Sequence, residues 1–125
     1  MLTMFVLAAA AAATPKPLAP SIKMKTAIAQ KLDLQLLDGE SARYRWPMDR
    51  HGVVYCGLVN AKNSYGAYTG FKGFYVLGMH HNGPKGDGGY TPVTVKLIDP
   101  EDVMGANYLS QCNDAGYDLS GAGSE

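Results

Sequence analysis

From Ser21 onward apolar residues recur at every fourth position, Met24, Ile28, Leu32 and Leu36, with Lys23, Lys25, Gln30, Lys31 and Gln35 between them. Residues four apart lie one above the other on a helix, so this spacing draws one apolar stripe with a wet opposite face. Ser21 offers a side-chain acceptor for the first turn and Asp38-Gly39 a stop, which predicts a helix over 21–37. The stretch from Leu32 to Leu36 also alternates and admits a local strand reading. From Ala42 the period becomes two: Ala42, Tyr44 and Trp46 fall on one face and Arg43 and Arg45 on the other, as in a half-buried strand. Pro47 to Gly52 reads as a turn, and the run Val53-Val54-Tyr55-Cys56-Gly57-Leu58-Val59, apolar on both faces, predicts a central strand.

Phe71 to Met79 predicts a third strand, with Phe74 and Val76 opposed to Phe71, Tyr75 and Leu77, and His80 to Gly89 a flexible glycine-rich loop. Tyr90 to Ile98 sets Val93, Val95 and Leu97 against Thr94 and Lys96; its Pro92 suits a strand start or a sheet edge. Asp99-Pro100-Glu101-Asp102 has the features of a helix start. Asp99 can accept first-turn N–H bonds, Pro100 sits where a missing donor costs nothing, and two carboxylates face the positive end of the helix dipole. A helix from here to about Asn113 would turn Val103, Met104, Tyr108, Leu109 and Cys112 toward one face. The expected architecture is α+β: one domain over 21–118, a four-stranded antiparallel meander flanked by an N-terminal and a C-terminal helix. Residues 119–125, rich in Gly and Ser, read as a disordered tail.

With 125 residues the chain can build one core and not two. Eleven basic residues balance eleven acidic ones, and the cations are scattered from Lys16 to Lys96, which argues against nucleic acid as a partner. Ahead of the domain, residues 1–13 are uncharged and apolar and end in six consecutive Ala, followed by a Pro-rich stretch over 14–20. Small residues before a Pro-rich exit fit a signal peptide, cleaved most simply after Ala13, although the first basic residue is Lys16 and no basic leader precedes the apolar run. As a helix this segment is too short to span a bilayer, so no membrane span is expected once it is removed. The expectation is a periplasmic or secreted protein; the alternative is an Ala-rich tail on a cytosolic one.

Export gives the two cysteines a meaning. In an oxidising compartment an even pair, Cys56 and Cys112, predicts one disulfide. The competing reading makes Cys56 a nucleophile with His80 or His81 as base. It is the weaker one, because Cys56 lies in an apolar run without the cationic setting that lowers a thiol pKa.

The segment Cys56-Gly57-Leu58-Val59-Asn60-Ala61-Lys62-Asn63-Ser64-Tyr65-Gly66-Ala67-Tyr68-Thr69-Gly70-Phe71, preceded by Ser41-Ala42-Arg43-Tyr44-Arg45, is the most specific in the chain. It resembles a family of small, uncharacterised bacterial exported proteins that share a Ser-Ala-x-Phe-Arg block and a Cys-Gly-x-Val-Asn-x-Lys-Asn-x-Tyr-Gly-Gly-Tyr-x-Gly-Phe block. The likeness covers about Leu36 to Phe74. Gly39 stands where the family has Pro, and Ala67 where it has the second Gly of a pair, which places in question any need for positive φ there. The resemblance implies bacterial export and a shared small domain, with no reaction attached.

The Asn60 to Gly70 connection is longer than an ordinary hairpin loop and gathers Asn60, Lys62, Asn63, Tyr65 and Tyr68. Flat aromatic area beside amide and ammonium donors suits a glycan, a cell-wall fragment or a partner protein of the envelope. The plain alternative is a tight turn that needs Asn and Gly, with tyrosines covering a small core. His80 and His81, with His51 and Asp87, invite a metal reading; adjacent strand residues point apart and zinc-type Cys spacing is absent, so no metal ligand is assigned. Residues 83–89 match no phosphate-binding loop, and no cofactor is expected. Alternation in Arg43-Tyr44-Arg45-Trp46 separates cations from rings, and capping accounts for Asp99, Glu101 and Asp102. The resulting expectation is a non-catalytic envelope binding or accessory module using the 60–68 loop; the alternative is an envelope-acting hydrolase or transferase with Cys56 and a His as reactive groups.

Overall fold

The computed structural model describes residues 18–81 and 89–122. The expected leader over 1–13, residues 14–17 of the Pro-rich stretch and most of the glycine-rich connection lie outside the described residues. Helix α1 spans Ile22–Asp33 and buries Met24, Ile28 and Leu32, the predicted stripe. Ser21 caps it: its Oγ accepts from the Met24 N–H at 3.1 Å. The helix stops four residues before the predicted end. Leu34 and Leu37 face solvent, and the Gln35 and Leu36 N–H groups both turn back to the Leu32 carbonyl. This exit carries the Gln35 side chain to the last strand of the sheet, where Nε2 donates to the Val95 carbonyl at 2.7 Å and Oε1 accepts from the Leu97 N–H at 3.3 Å. Gln35 thus satisfies backbone groups that a sheet edge would otherwise leave unpaired.

Four strands follow, β1 Arg43–Arg45, β2 Val54–Asn60, β3 Lys72–His80 and β4 Tyr90–Leu97, hydrogen-bonded in chain order and all antiparallel. This is the expected meander. β2 is buried on both faces, as its apolar run requires. One face of the sheet carries Tyr44, Trp46, Tyr55 and Phe74, whose rings pack with centroids 4.8 to 6.4 Å apart. The alternation expected in β4 fails at one residue. Leu77 pairs with Thr94 but Gly78 pairs with Pro92, so Val93 is the extra residue of a bulge and is 63% exposed. The bulge shifts the parity, and Tyr90 and Pro92 take the buried positions ahead of Val95.

Helix α2, Val103–Asp114, begins later than the cap motif suggested. Asp99 uses its carboxylate on the Glu101 N–H at 3.0 Å and its carbonyl on the Asp102 N–H at 3.1 Å, closing a separate turn, and Asp102 becomes the N-cap residue. Gly105 explains the arrangement. The Asp99 backbone lies against it so closely that a Cβ at 105 would strike the Asp99 carbonyl. The buried side of α2 consequently runs through Gly105, Tyr108, Leu109 and Cys112, while Val103 and Met104, expected on that side, are exposed.

Cys56 in β2 and Cys112 in α2 form a disulfide, with Cα atoms 5.9 Å apart and both side chains fully buried. Beside it, Tyr75 stacks on Tyr108 at 4.5 Å and donates to Gln111 Oε1 at 2.7 Å. The helix ends in a Schellman turn: Gly116, at φ 91, donates to Asn113, and Tyr117 donates back to Cys112. That reversal returns Tyr117 to the core against Tyr55. Leu119 is 6% exposed and lies near Ile98 and Gly73, so the packed chain extends past residue 118, where the tail was expected to begin. No helix among the described residues is long and apolar enough to cross a membrane.

Candidate functional site

The connection between β2 and β3 folds as a small hairpin of its own. Lys62 and Tyr68 form an isolated bridge, Asn63 N–H donates to the Ala67 carbonyl at 2.8 Å, and Gly66 N–H donates to the Asn63 carbonyl at 3.0 Å. Gly66 takes φ 78, the left-handed conformation that completes such a turn. Ala67 lies outside that region, so its side chain brings no backbone strain to the turn.

The five predicted residues divide by role. Asn60 is buried and its Oδ1 accepts from the Gly70 N–H at 3.2 Å, tying the two ends of the connection together. Asn63 Oδ1 accepts from the Tyr65 N–H at 2.9 Å and the Ala67 N–H at 3.1 Å, filling the turn from inside. Both asparagines therefore do what the plain turn reading required. Tyr68 is half-buried and donates from its hydroxyl to the Ser41 carbonyl at 2.7 Å, anchoring the loop to the segment before β1. Tyr65, by contrast, stands at the tip and is 93% exposed. Lys62 is half-buried, with Nζ 5.5 Å from the Tyr68 ring centroid.

Sequence alternation missed two members of this surface. The Arg43 guanidinium lies 4.0 Å over the Tyr68 ring, and Arg45 lies 3.9 Å over Phe71. Alternation separated these arginines from Tyr44 and Trp46 correctly; what it does not contain is the register, Arg43 opposite Asn60 and Arg45 opposite Leu58, that carries them to the rings of the next connection. Cations over ring faces make an aromatic and basic surface at the base of the loop. Beneath the loop a groove of about 220 Å³ is bordered by Gln35, Lys62, Asn63, Thr69, Lys72 and Leu97.

A second cluster forms at the other end of β2 and β3. Asp49, unassigned from sequence, is 3% exposed; its Oδ2 lies 2.9 Å from His80 Nε2 and 4.0 Å from His51 Nδ1. His81, the neighbour of His80, goes elsewhere, with its Nε2 2.6 Å from Thr91 Oγ1. Asp87 lies outside the described residues. The proximity of Asp49 to His80 is a product of the Pro47 to Gly52 turn folding back on the end of β3, which a linear pattern does not display.

Near this cluster burial pushes the pKa values of Tyr55 and Tyr90 up, with the Asp49 charge adding to the effect in both. Cys56 holds no thiol, since both cysteines of the chain are in the disulfide. Comparison with family models, with curated proteins and with solved structures finds no match.

Proposed function

We propose that this protein is an exported, non-catalytic binding module of the bacterial cell envelope, engaging glycan through the 60–68 loop. The observation that carries the reading is Tyr65, exposed at the tip of a turn whose backbone is held by Asn63. An aromatic side chain carried on an ordered turn offers a flat face to a sugar ring, and only its own two torsions are left to order on binding. Lys62 and Arg43, gathered around Tyr68 at its base, add cationic donors suited to carboxylate groups on such a polymer.

Export is supported by the Cys56–Cys112 disulfide, a bond that persists in oxidising compartments, and by the apolar, Ala-rich residues 1–13. The same two features support periplasmic or secreted placement, and the likeness of residues 36–74 to bacterial exported proteins points the same way. A hydrolase or transferase using Cys56 would need a thiolate, which the buried disulfide does not provide.

Cosedimentation of the purified protein with isolated peptidoglycan sacculi tests the proposal. Wild type should pellet with the sacculi, and Tyr65→Ala or Lys62→Ala should weaken binding about tenfold or more, as loss of an anchoring side chain does. Because Tyr65 faces solvent, its variant should keep the wild-type unfolding midpoint. Failure of wild type to pellet, or equal pelleting by both variants, overturns this reading.

A further inference from the structure

The Asp49, His51 and His80 cluster is built in a way that a surface hydrogen bond does not require. Asp49 is held on both sides of its peptide by a bridge to Leu18: its N–H donates to the Leu18 carbonyl at 2.6 Å, and its carbonyl accepts from the Leu18 N–H at 3.1 Å. The carboxylate is buried, and its Oδ1 accepts from the His51 N–H at 2.9 Å. One oxygen is thereby fixed by backbone, while the other, Oδ2, points at two imidazoles.

His51 is in the left-handed region at φ 59, unlike every other non-glycine among the described residues. A β-carbon makes that conformation unfavourable, so the surrounding structure is holding the residue there. The outcome is that the His51 ring comes to 5.7 Å from that of His80 rather than pointing away. An Asp–His hydrogen bond alone needs neither a second imidazole nor a left-handed backbone. The ligand atoms of all three residues lie within 4.8 Å of one another.

We propose that Asp49, His51 and His80 bind a divalent transition metal, with zinc the best match. Two imidazoles and a carboxylate are a donor set that zinc takes in tetrahedral sites with a fourth position left to water or a ligand. At bond lengths of about 2.0 to 2.1 Å, tetrahedral donors stand about 3.3 Å apart. The His80 to Asp49 separation of 2.9 Å is close to that spacing, and the 4.0 Å from His51 to Asp49 closes with a small turn of the exposed ring. On loading, zinc ligates the Nε2 lone pair of the neutral His80 tautomer whose one proton is on Nδ1, so the ring exchanges its hydrogen bond to Asp49 for the metal without losing a proton. The His51 N–H bond to Oδ1 keeps the carboxylate oriented, as outer hydrogen bonds do for metal-bound carboxylates. Each histidine side chain is 31% exposed, which leaves the fourth position open toward solvent.

Isothermal titration calorimetry of the untagged full chain, disulfide intact, with zinc chloride alone tests the site. The expected result is saturable binding of one zinc per chain, weakened at least about tenfold by His51→Ala and by His80→Ala. His81→Ala, whose ring faces Thr91, should bind as wild type does. His80→Gln keeps a donor for Asp49 and so separates lost ligation from lost folding: it should hold the fold and lose the zinc. Absence of saturable binding by wild type overturns the site, and so does undiminished binding by a folded His51 or His80 variant.

Discussion

Tyr55 and Tyr90 show how a single side chain can report the fold. The Tyr55 hydroxyl donates to the Pro47 carbonyl at 2.7 Å, closing the turn that carries Asp49. Burial raises the pKa of both tyrosines; the charges of Tyr117 and then Asp49 add to it for Tyr55, and those of Asp49 and then Tyr117 for Tyr90. In the unfolded chain a tyrosine ionises at about 10. Because the folded values lie above this, the stability that depends on the neutral rings is complete below that pH and is lost as pH climbs beyond it. The urea unfolding midpoint should therefore fall between about pH 8 and about pH 11, and fall less in Tyr55→Phe. An equal fall in both proteins would contradict this account. At this scale the sequence revealed residue types but not their employment. Asn60 and Asn63 were recognisable as turn formers, whereas the Arg43 to Tyr68 contact depends on strand register, and Asp49 is significant only because a chain reversal places it beside His80.

Among the elements, α2 departs furthest from its sequence pattern. Asp99-Pro100 is a sound helix start taken alone, yet the backbone there forms a separate turn that fits because Gly105 has no side chain. Gly105→Ala should consequently cost about 2 kcal/mol in urea unfolding, as overpacking a close contact does, and shift the cross-peaks of Asp99, Glu101 and Asp102 in an amide NMR spectrum. A wild-type midpoint would show that the Asp99 contact is not what sets the start. Periodicity of four located α1 because Met24, Ile28 and Leu32 all meet the core, but it overran the end, since the capture of β4 by Gln35 is a tertiary event. Alternation, and for β2 an unbroken apolar run, located the four strands to within about one residue. It misplaced Val93 because a bulge is the insertion of a single residue, which a pattern of period two has no means of marking.

For the molecule as a whole, the disulfide joins the central strand to the last helix across a sequence separation of 56 residues. Constraining a loop of that length removes about 4 kcal/mol of unfolded-state entropy in the chain model, comparable to the net stability of a small domain. The α+β arrangement was legible because patterning, turns and the even cysteine pair agreed with one another. The 60–68 loop was legible as a turn, and Asn60 and Asn63 hold it as one. Compartment and chemistry both turn on the state of the two sulfurs, and one measurement reads it directly. The protein, isolated without reductant, is treated with iodoacetamide in denaturant and its intact mass is taken. The account predicts no alkyl adduct and a mass two hydrogens below the fully reduced chain; adducts on both Cys56 and Cys112 would contradict it.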